Sequence, residues 1–251
     1  MTGRRPITVG TAGWSIPKAS AAAFPLEGST LARYARRFTG VEINSTFYRS
    51  HRASTYARWH DSVPEDFRFA VKMPKAISHE KRLSAVEDLL MEFLAETAEL
   101  GKRRGPLLLQ LPPKLAFDEA TATAFLRLLR GLFDGPLAVE PRHPSWFTAD
   151  ADALLQQYRG ARVGADPPRA DGALLPGGYR GLTYLRLHGA PRVYFSSYDE
   201  TRLSDVASIL GKSRGPCWCI FDNTASGAAA ANGLELSQML RDNDVEELGG
   251  A

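Results

Sequence analysis

The stretch AVEPRHPSWF, residues 138–147, ends an apolar run in a carboxylate, a guanidinium and an imidazole: Glu140, Arg142 and His143. Charged groups are costly to bury unless they are paired or put to use. The same pattern recurs along the chain. VEIN (41–44) ends in Glu42 and Asn44, and RFAVK (68–72) in Lys72. PLLLQL (106–111) carries Gln110, ARVGAD (161–166) ends in Asp166, and TYLRLH (183–188) ends in Arg186 and His188. CWCIFD (217–222) ends in Asp222, followed by Asn223, and ITVG (7–10) runs into a turn ending at Trp14.

These residue types allow three chemistries. Glu42, Glu140, His143, His188 and Asp222 are the ligand types of divalent-metal sites. Lys72, Arg142 and Arg186 nevertheless balance Glu42, Glu140 and Asp222 charge for charge, and no compact H-x-x-x-H signature is present, so a divalent metal is the lesser reading. The second chemistry is anion binding, with Arg forks matched to phosphate or carboxylate and with carboxylate and imidazole groups to move protons. The Gly/Ala-rich NTASGAAAANG (223–233) would add helix N–H groups for a phosphate, or would simply pack closely. The third feature is stacking by Trp14, Phe47, Tyr48, Trp146, Phe147, Tyr194 and Tyr198, each of which could instead plug its own loop. A buried, purely structural ion-pair web is the alternative to all three. His79, in KAISHEKRL, fits either the site or a surface role.

Such residues need elements to hold them. The eight apolar runs alternate with helical patterns, and near-continuous apolar runs suit parallel strands covered on both faces. Eight such units in 251 residues predict one α/β domain over 1–251, a (β/α)8 TIM-type barrel of parallel strands. The polar residues then stand at the carboxyl ends of the strands, where such barrels do chemistry. Spacing i, i+2 pairs Glu42 with Asn44, Glu140 with Arg142, and Arg186 with His188 on common faces. SAVEDLLMEFLAETAEL (84–100) reads as an amphipathic helix with a Ser84/Glu87 capping box, and Asp118 precedes another. Residues 1–6 read as a lead and 242–251 as a frayed acidic tail. The loops 167–181 and 189–200 are long enough to serve as lids.

Net charge is +3, with basic residues too dispersed for a nucleic-acid arm. No secretory hydrophobic segment follows Met1, and no apolar run reaches the roughly 18 residues of a membrane span, so a cytoplasmic protein is expected. Cys217 and Cys219, two apart on a strand, read as structural or inert thiols. No nucleophile elbow, P-loop or dinucleotide fingerprint is present.

The ordered motifs GTAGWSIP, VEINSTFYRSH, FRFAVKMPKAISHEKRL, LLLQLPP, AVEPRHPSWF, YLRLHG and FDNTASGAAAANG resemble the YecE-like family, a domain of unknown function numbered seventy-two. The resemblance covers nearly the whole chain. It implies a TIM-barrel fold and supplies no activity. Asp222 stands where that family commonly has Asn, and Ser78 where Thr is common, which makes Asp222 the least secure site residue.

The reading that follows is an enzyme using general acid–base chemistry, of the hydrolase, lyase or isomerase type, on a small anionic substrate bearing a phosphate or a nucleotide. Glu140, His188, His143 and Glu42 are its catalytic candidates. Lys72, Arg142, Arg186, Asn44, Gln110, Trp14, Tyr48, Trp146, Tyr198 and Asn223 are its substrate-binding candidates. No cofactor and no membrane are expected. The alternatives are a non-enzymatic binder of small ligands or nucleic acid, and a metal-dependent hydrolase or isomerase.

Overall fold

The computed structural model describes residues 6–249, with side chains to residue 243. The predicted lead, apart from Pro6, lies outside the described residues, as do the last two residues of the predicted tail. The elements are, in order, β1 (Ile7–Thr11), α1 (Thr30–Ala35), β2 (Gly40–Ile43), α2 (Ala53–Asp61), β3 (Arg68–Lys72), α3 (Glu87–Ala98), β4 (Arg104–Gln110), α4 (Glu119–Leu132) and β5 (Leu137–Glu140). They continue with α5 (Ala149–Gln157), β6 (Gly160–Arg162), β7 (Gly164–Asp166), β8 (Gly177–Gly178), β9 (Thr183–Leu187), α6 (Glu200–Gly211), β10 (Cys217–Phe221) and α7 (Ala228–Gly249). The predicted acidic tail continues α7 as far as Gly249, because neither Gly nor Pro interrupts residues 234–248. Among the described residues no helix is long and apolar enough to cross a membrane.

The fold is α/β with parallel strands. The predicted single barrel ladder is divided into two sheets, one of order β1-β10-β9-β7 and one of order β2-β3-β4-β5-β6-β8. The second is mixed, since β8 runs antiparallel to β6. Both interruptions have local causes. The sixth apolar run splits at Val163: β6 pairs with β5 and β7 with β9. The loop that follows folds back on the split, where Ala173 O accepts the Ala165 N–H at 2.9 Å, and its Leu174 carbonyl leaves no room for a Cβ at Gly164. Between β1 and β2, the Tyr34 hydroxyl is inserted, accepting from Thr11 N at 2.9 Å and donating to Gly40 O at 3.3 Å. The seam keeps a bridge between Ala12 and Glu42 and a bond from Gly13 N to Glu42 O of 2.8 Å.

The strands pack one face under the helices, where Phe69, Val71, Leu107, Leu109, Val139 and Phe221 join the larger apolar cluster with helical residues such as Leu90, Phe125 and Leu203. The opposite face carries a separate cluster that includes Ala70, Leu108, Ala138, Tyr184, Trp218 and Ile220. Asp118 caps α4 as its position suggests, accepting from Thr121 N at 2.8 Å. The predicted capping box at Ser84 does not form. Arg82, Leu83 and Ala85 take left-handed backbone angles, and α3 starts only at Glu87, after Val86.

Candidate functional site

The second apolar cluster explains where the polar residues lie. Side chains two apart on a strand share a face. Ala70, Leu108, Ala138, Tyr184 and Ile220 are therefore followed, two positions on, by Lys72, Gln110, Glu140, Arg186 and Asp222. A polar layer thus rests on an apolar one, and Glu42, Lys72, Gln110, Glu140, Arg186, His188 and Asp222 are all buried.

Arg186 is the hub of this layer. Its guanidinium, 0% exposed, grips Glu42 with two bonds, Nε to Oε2 at 3.0 Å and Nη2 to Oε1 at 2.7 Å. It also reaches Glu140 Oε2 at 2.7 Å and Asp222 Oδ2 at 3.1 Å. Burial opposes its charge, but Glu42, Glu140 and Asp222 together raise its pKa well above the usual value. Tyr184 donates to Glu42 Oε2 at 2.9 Å and is held protonated by burial and by Glu42.

His188 lies between two carboxylates, with Nε2 3.0 Å from Glu140 Oε1 and Nδ1 2.9 Å from Asp222 Oδ2. An ionised carboxylate only accepts, so both ring nitrogens must donate and the ring is an imidazolium. Burial disfavours that charge; Glu140 and Asp222 outweigh it and raise the pKa above 6.5. Glu140 receives Arg186 and Gln110 on Oε2 and His188 and Arg142 on Oε1. Burial alone would raise its pKa, yet Arg186, His188 and Arg142 hold it well below the usual value, and Asp222 is likewise held low by Arg186 and His188.

This geometry argues against the expected roles of three residues. Glu140 carries four donors and is a poor proton acceptor, and His188 has no free nitrogen with which to exchange one. Arg186, predicted as an anion clamp, is sealed and committed to three carboxylates, so it organises the site instead.

Lys72 differs from these groups. It is 5% exposed and, among the described residues, has no carboxylate within ion-pair distance. Its Nζ stands 4.2 Å from the centroid of the Phe47 ring. Burial, then Arg186, disfavours the ammonium; Glu42, Glu140 and Asp222 offset part of this, and the pKa falls from 10.5 to about 8. The backbone here is pinned, because the Thr46 hydroxyl donates to both Lys72 O and Ile43 O. His79 packs edge-on against the same Phe47 ring, 4.9 Å between centroids. Burial, then Lys72 and Arg142, lowers its pKa and keeps it neutral. Arg142, half-buried, joins Glu140 at 3.3 Å and bonds Tyr194, whose ring meets His188 edge-on. Burial opposes the Arg142 charge but Glu140 and Tyr194 raise its pKa.

The remaining predicted residues lie around this group or away from it. Asn44 is not a strand partner of Glu42, because β2 ends at Ile43 and Asn44 has helical backbone angles; its Oδ1 is buried and has no hydrogen-bond partner among the described residues. His143 Nδ1 accepts from Ser145 N at 3.2 Å and caps the turn that follows. Trp146, predicted as a stacking wall, is core: 2% exposed, donating to Leu115 O and packed on Phe117. Tyr198 and Asn223 tie loops together. The Tyr198 hydroxyl accepts from Gly189 N, and Asn223 donates to Ser196 O and to Asn232. Trp14 packs on Trp59, while Tyr48 is 71% exposed. At the start of α7, the Gly227, Ala228 and Ala229 N–H groups are accepted by Thr224 O, Ser226 Oγ and Asn223 O. Tyr184 and Asn232 went unpredicted. Alternation from Arg186 and His188 points to Tyr184, whereas only the fold brings Asn232 to Asn223.

Among the described residues no three His, Cys, Asp or Glu side chains are gathered as a metal-ligand set. Cys217 and Cys219 are buried thiols outside any disulfide, and burial pushes the Cys219 thiol up.

A family model described as a protein of unknown function, DUF72, matches residues 8–249. The UPF0759 protein YecE of Escherichia coli K12 is 38% identical over 142 residues, 56% of this chain and 50% of that protein, so the match spans half the length of that relative. The UPF0759 protein YunF of Bacillus subtilis is 24% identical over 97% of this chain and 96% of its own length. A DUF72 family protein from Thermotoga maritima superposes with a TM-score of 0.77 at 25% identity, covering 94% of this chain and 99% of that one. The 3-keto-D-glucoside 4-epimerase YcjR of E. coli, with a TM-score of 0.51 and 13% identity over 95% of this chain and 100% of its own, shares the fold alone.

Proposed function

We propose that this chain, which belongs to the DUF72 family, is an enzyme that binds a small anionic substrate and moves a proton on it by general acid–base chemistry. The two sheets are taken as arcs of one (β/α)8 barrel, with the polar layer at its mouth. The observation that carries this reading is the charge arrangement. Glu42, Glu140 and Asp222 are engaged by Arg186, His188 and Arg142, and Lys72 is left over as a buried cation with no carboxylate partner among the described residues. Three negative groups thus face four groups able to carry positive charge. A substrate anion completes the balance, received by Arg142 and Lys72.

Proton transfer falls to the groups that the carboxylate web leaves free to exchange a proton. Lys72, drawn down to about 8, and His79, held neutral beside it, suit the roles of acid and base. The Arg186 web fixes their background field and costs no reorganisation during reaction. Deuterium exchange tests this: 2-oxo acids, 2-hydroxy acids and sugar phosphates are incubated with the protein in heavy water, and carbon-bound deuterium is read by NMR. Exchange that disappears in Lys72→Met and His79→Ala supports the assignment. Exchange that is unchanged in both variants refutes it.

A further inference from the structure

We propose that Lys72 is a covalent catalyst whose amine condenses with the carbonyl carbon of an anionic aldehyde or ketone to form an imine. The inference rests on the reading of the mouth as an anion-binding proton-transfer site and deepens it by naming the substrate class.

Three independent features of geometry support it. Lys72 is buried on a rigid strand end, its backbone held by the Thr46 hydroxyl, so the amine has a fixed position. It has no ion-pair partner among the described residues, although three carboxylates lie in the same layer; each of those is already claimed by Arg186, His188 or Arg142. A lysine kept only for charge balance would be expected to share one of them. Its nitrogen also lies over the face of Phe47, 4.2 Å from the ring centroid, a contact that positions the amine and offers no group to take its proton. The drop from 10.5 to about 8 agrees with this arrangement, since burial is its main cause and the Arg186 charge its second.

The step balances. The Nζ lone pair forms a bond to the carbonyl carbon, and the carbonyl oxygen takes up a proton as the amine gives one away. His79, on the same Phe47 ring, is placed to carry that proton between them. The resulting carbinolamine hydroxyl takes one further proton, supplied by solvent, and leaves as water, and the nitrogen pair closes the C=N bond of a protonated imine. One carbonyl, one neutral amine and one proton give one protonated imine and one water, with no oxidant or reductant. Arg142 holds the substrate's carboxylate or phosphate, and the protonated imine then draws electrons from the adjacent carbon, which is where the proton is taken.

The test uses glyoxylate, an anionic aldehyde, and acetaldehyde, a neutral one, each reduced in place with borohydride and mapped by peptide mass spectrometry on the intact protein. Glycolate, which has the anion but no carbonyl, serves as competitor. Lowering the pKa raises the neutral fraction of the amine by more than a hundredfold near pH 7.5, and a weaker base is a weaker nucleophile, so glyoxylate labels Lys72 on the order of tenfold faster than exposed Lys75. Glycolate and Arg142→Ala should each suppress that labelling, and Lys72→Arg should remove it without loss of fold. If glycolate binds while Lys72 stays unlabelled, the imine is overturned and the anion site stands. If both aldehydes label Lys72 equally and Arg142→Ala changes nothing, the anionic substrate class is overturned.

Discussion

Replacing Arg186 with Met keeps an unbranched apolar stem, removes the guanidinium and strands three buried carboxylates. Their losses are unequal. Glu140 keeps His188, Arg142 and Gln110 as donors, and Asp222 keeps His188. Glu42, 0% exposed, keeps only the Tyr184 hydroxyl among the described residues. Removing one partner from a buried ion pair costs about 3–5 kcal/mol. With two of the four Arg186 bonds going to Glu42, most of that cost falls there. Urea denaturation with linear extrapolation reads the loss directly. The double variant Arg186→Met with Glu42→Gln should recover more than half of it, because the stranded charge is gone. The deficit should also narrow as pH falls. A stranded carboxylate takes up a proton on folding, so stability then declines with rising pH, by at most about 1.4 kcal/mol per pH unit for one proton. A single-variant loss below about 1 kcal/mol, or a double variant no more stable than the single, would refute the hub reading.

Other outcomes follow from the same geometry. Lys72→Met should stabilise the fold by roughly 2–3 kcal/mol at neutral pH while abolishing activity, since the pKa lowered to about 8 penalises the folded ammonium below that value; denaturant midpoints check it. His188, raised above 6.5, lends stability that is complete below 6.5 and is lost as pH rises through its folded value, so His188→Gln should flatten the alkaline limb of a stability profile. Trp146→Ala should cost about 3–5 kcal/mol without changing anion affinity in the folded fraction, as calorimetry at low temperature would read. Tyr48→Ala should shift stability by less than about 0.5 kcal/mol, because the ring is largely exposed.

Much of the site was legible because strand alternation is a strong rule. Once CWCIFD and TYLRLH are read as strands, Asp222, Arg186 and His188 fall at their ends, and the structure joins them through one oxygen, Asp222 Oδ2. Even Asp222, the least secure of the expected site residues, is integral to the web. What failed was the assignment of roles. Pairing is a tertiary property: nothing in the spacing shows that Arg186 bonds three carboxylates while Lys72 bonds none. Trp146 misled because an aromatic beside a charged strand end can turn inward as readily as outward, and its indole N–H found Leu115 O. The division of the strands was equally hidden, since Tyr34 inserts between β1 and β2 from a helix, and the loop after β7 folds back so that Ala173 O accepts the Ala165 N–H beside the break.

The central claim is that the mouth carries one cation more than its carboxylates neutralise and therefore holds an anion. Isothermal calorimetry of glycolate and inorganic phosphate against the wild type and Arg142→Ala tests it most directly. The account predicts saturable one-to-one binding that is lost in Arg142→Ala while the thermal midpoint is maintained. Binding of equal strength in both proteins, or none in the wild type, would contradict it.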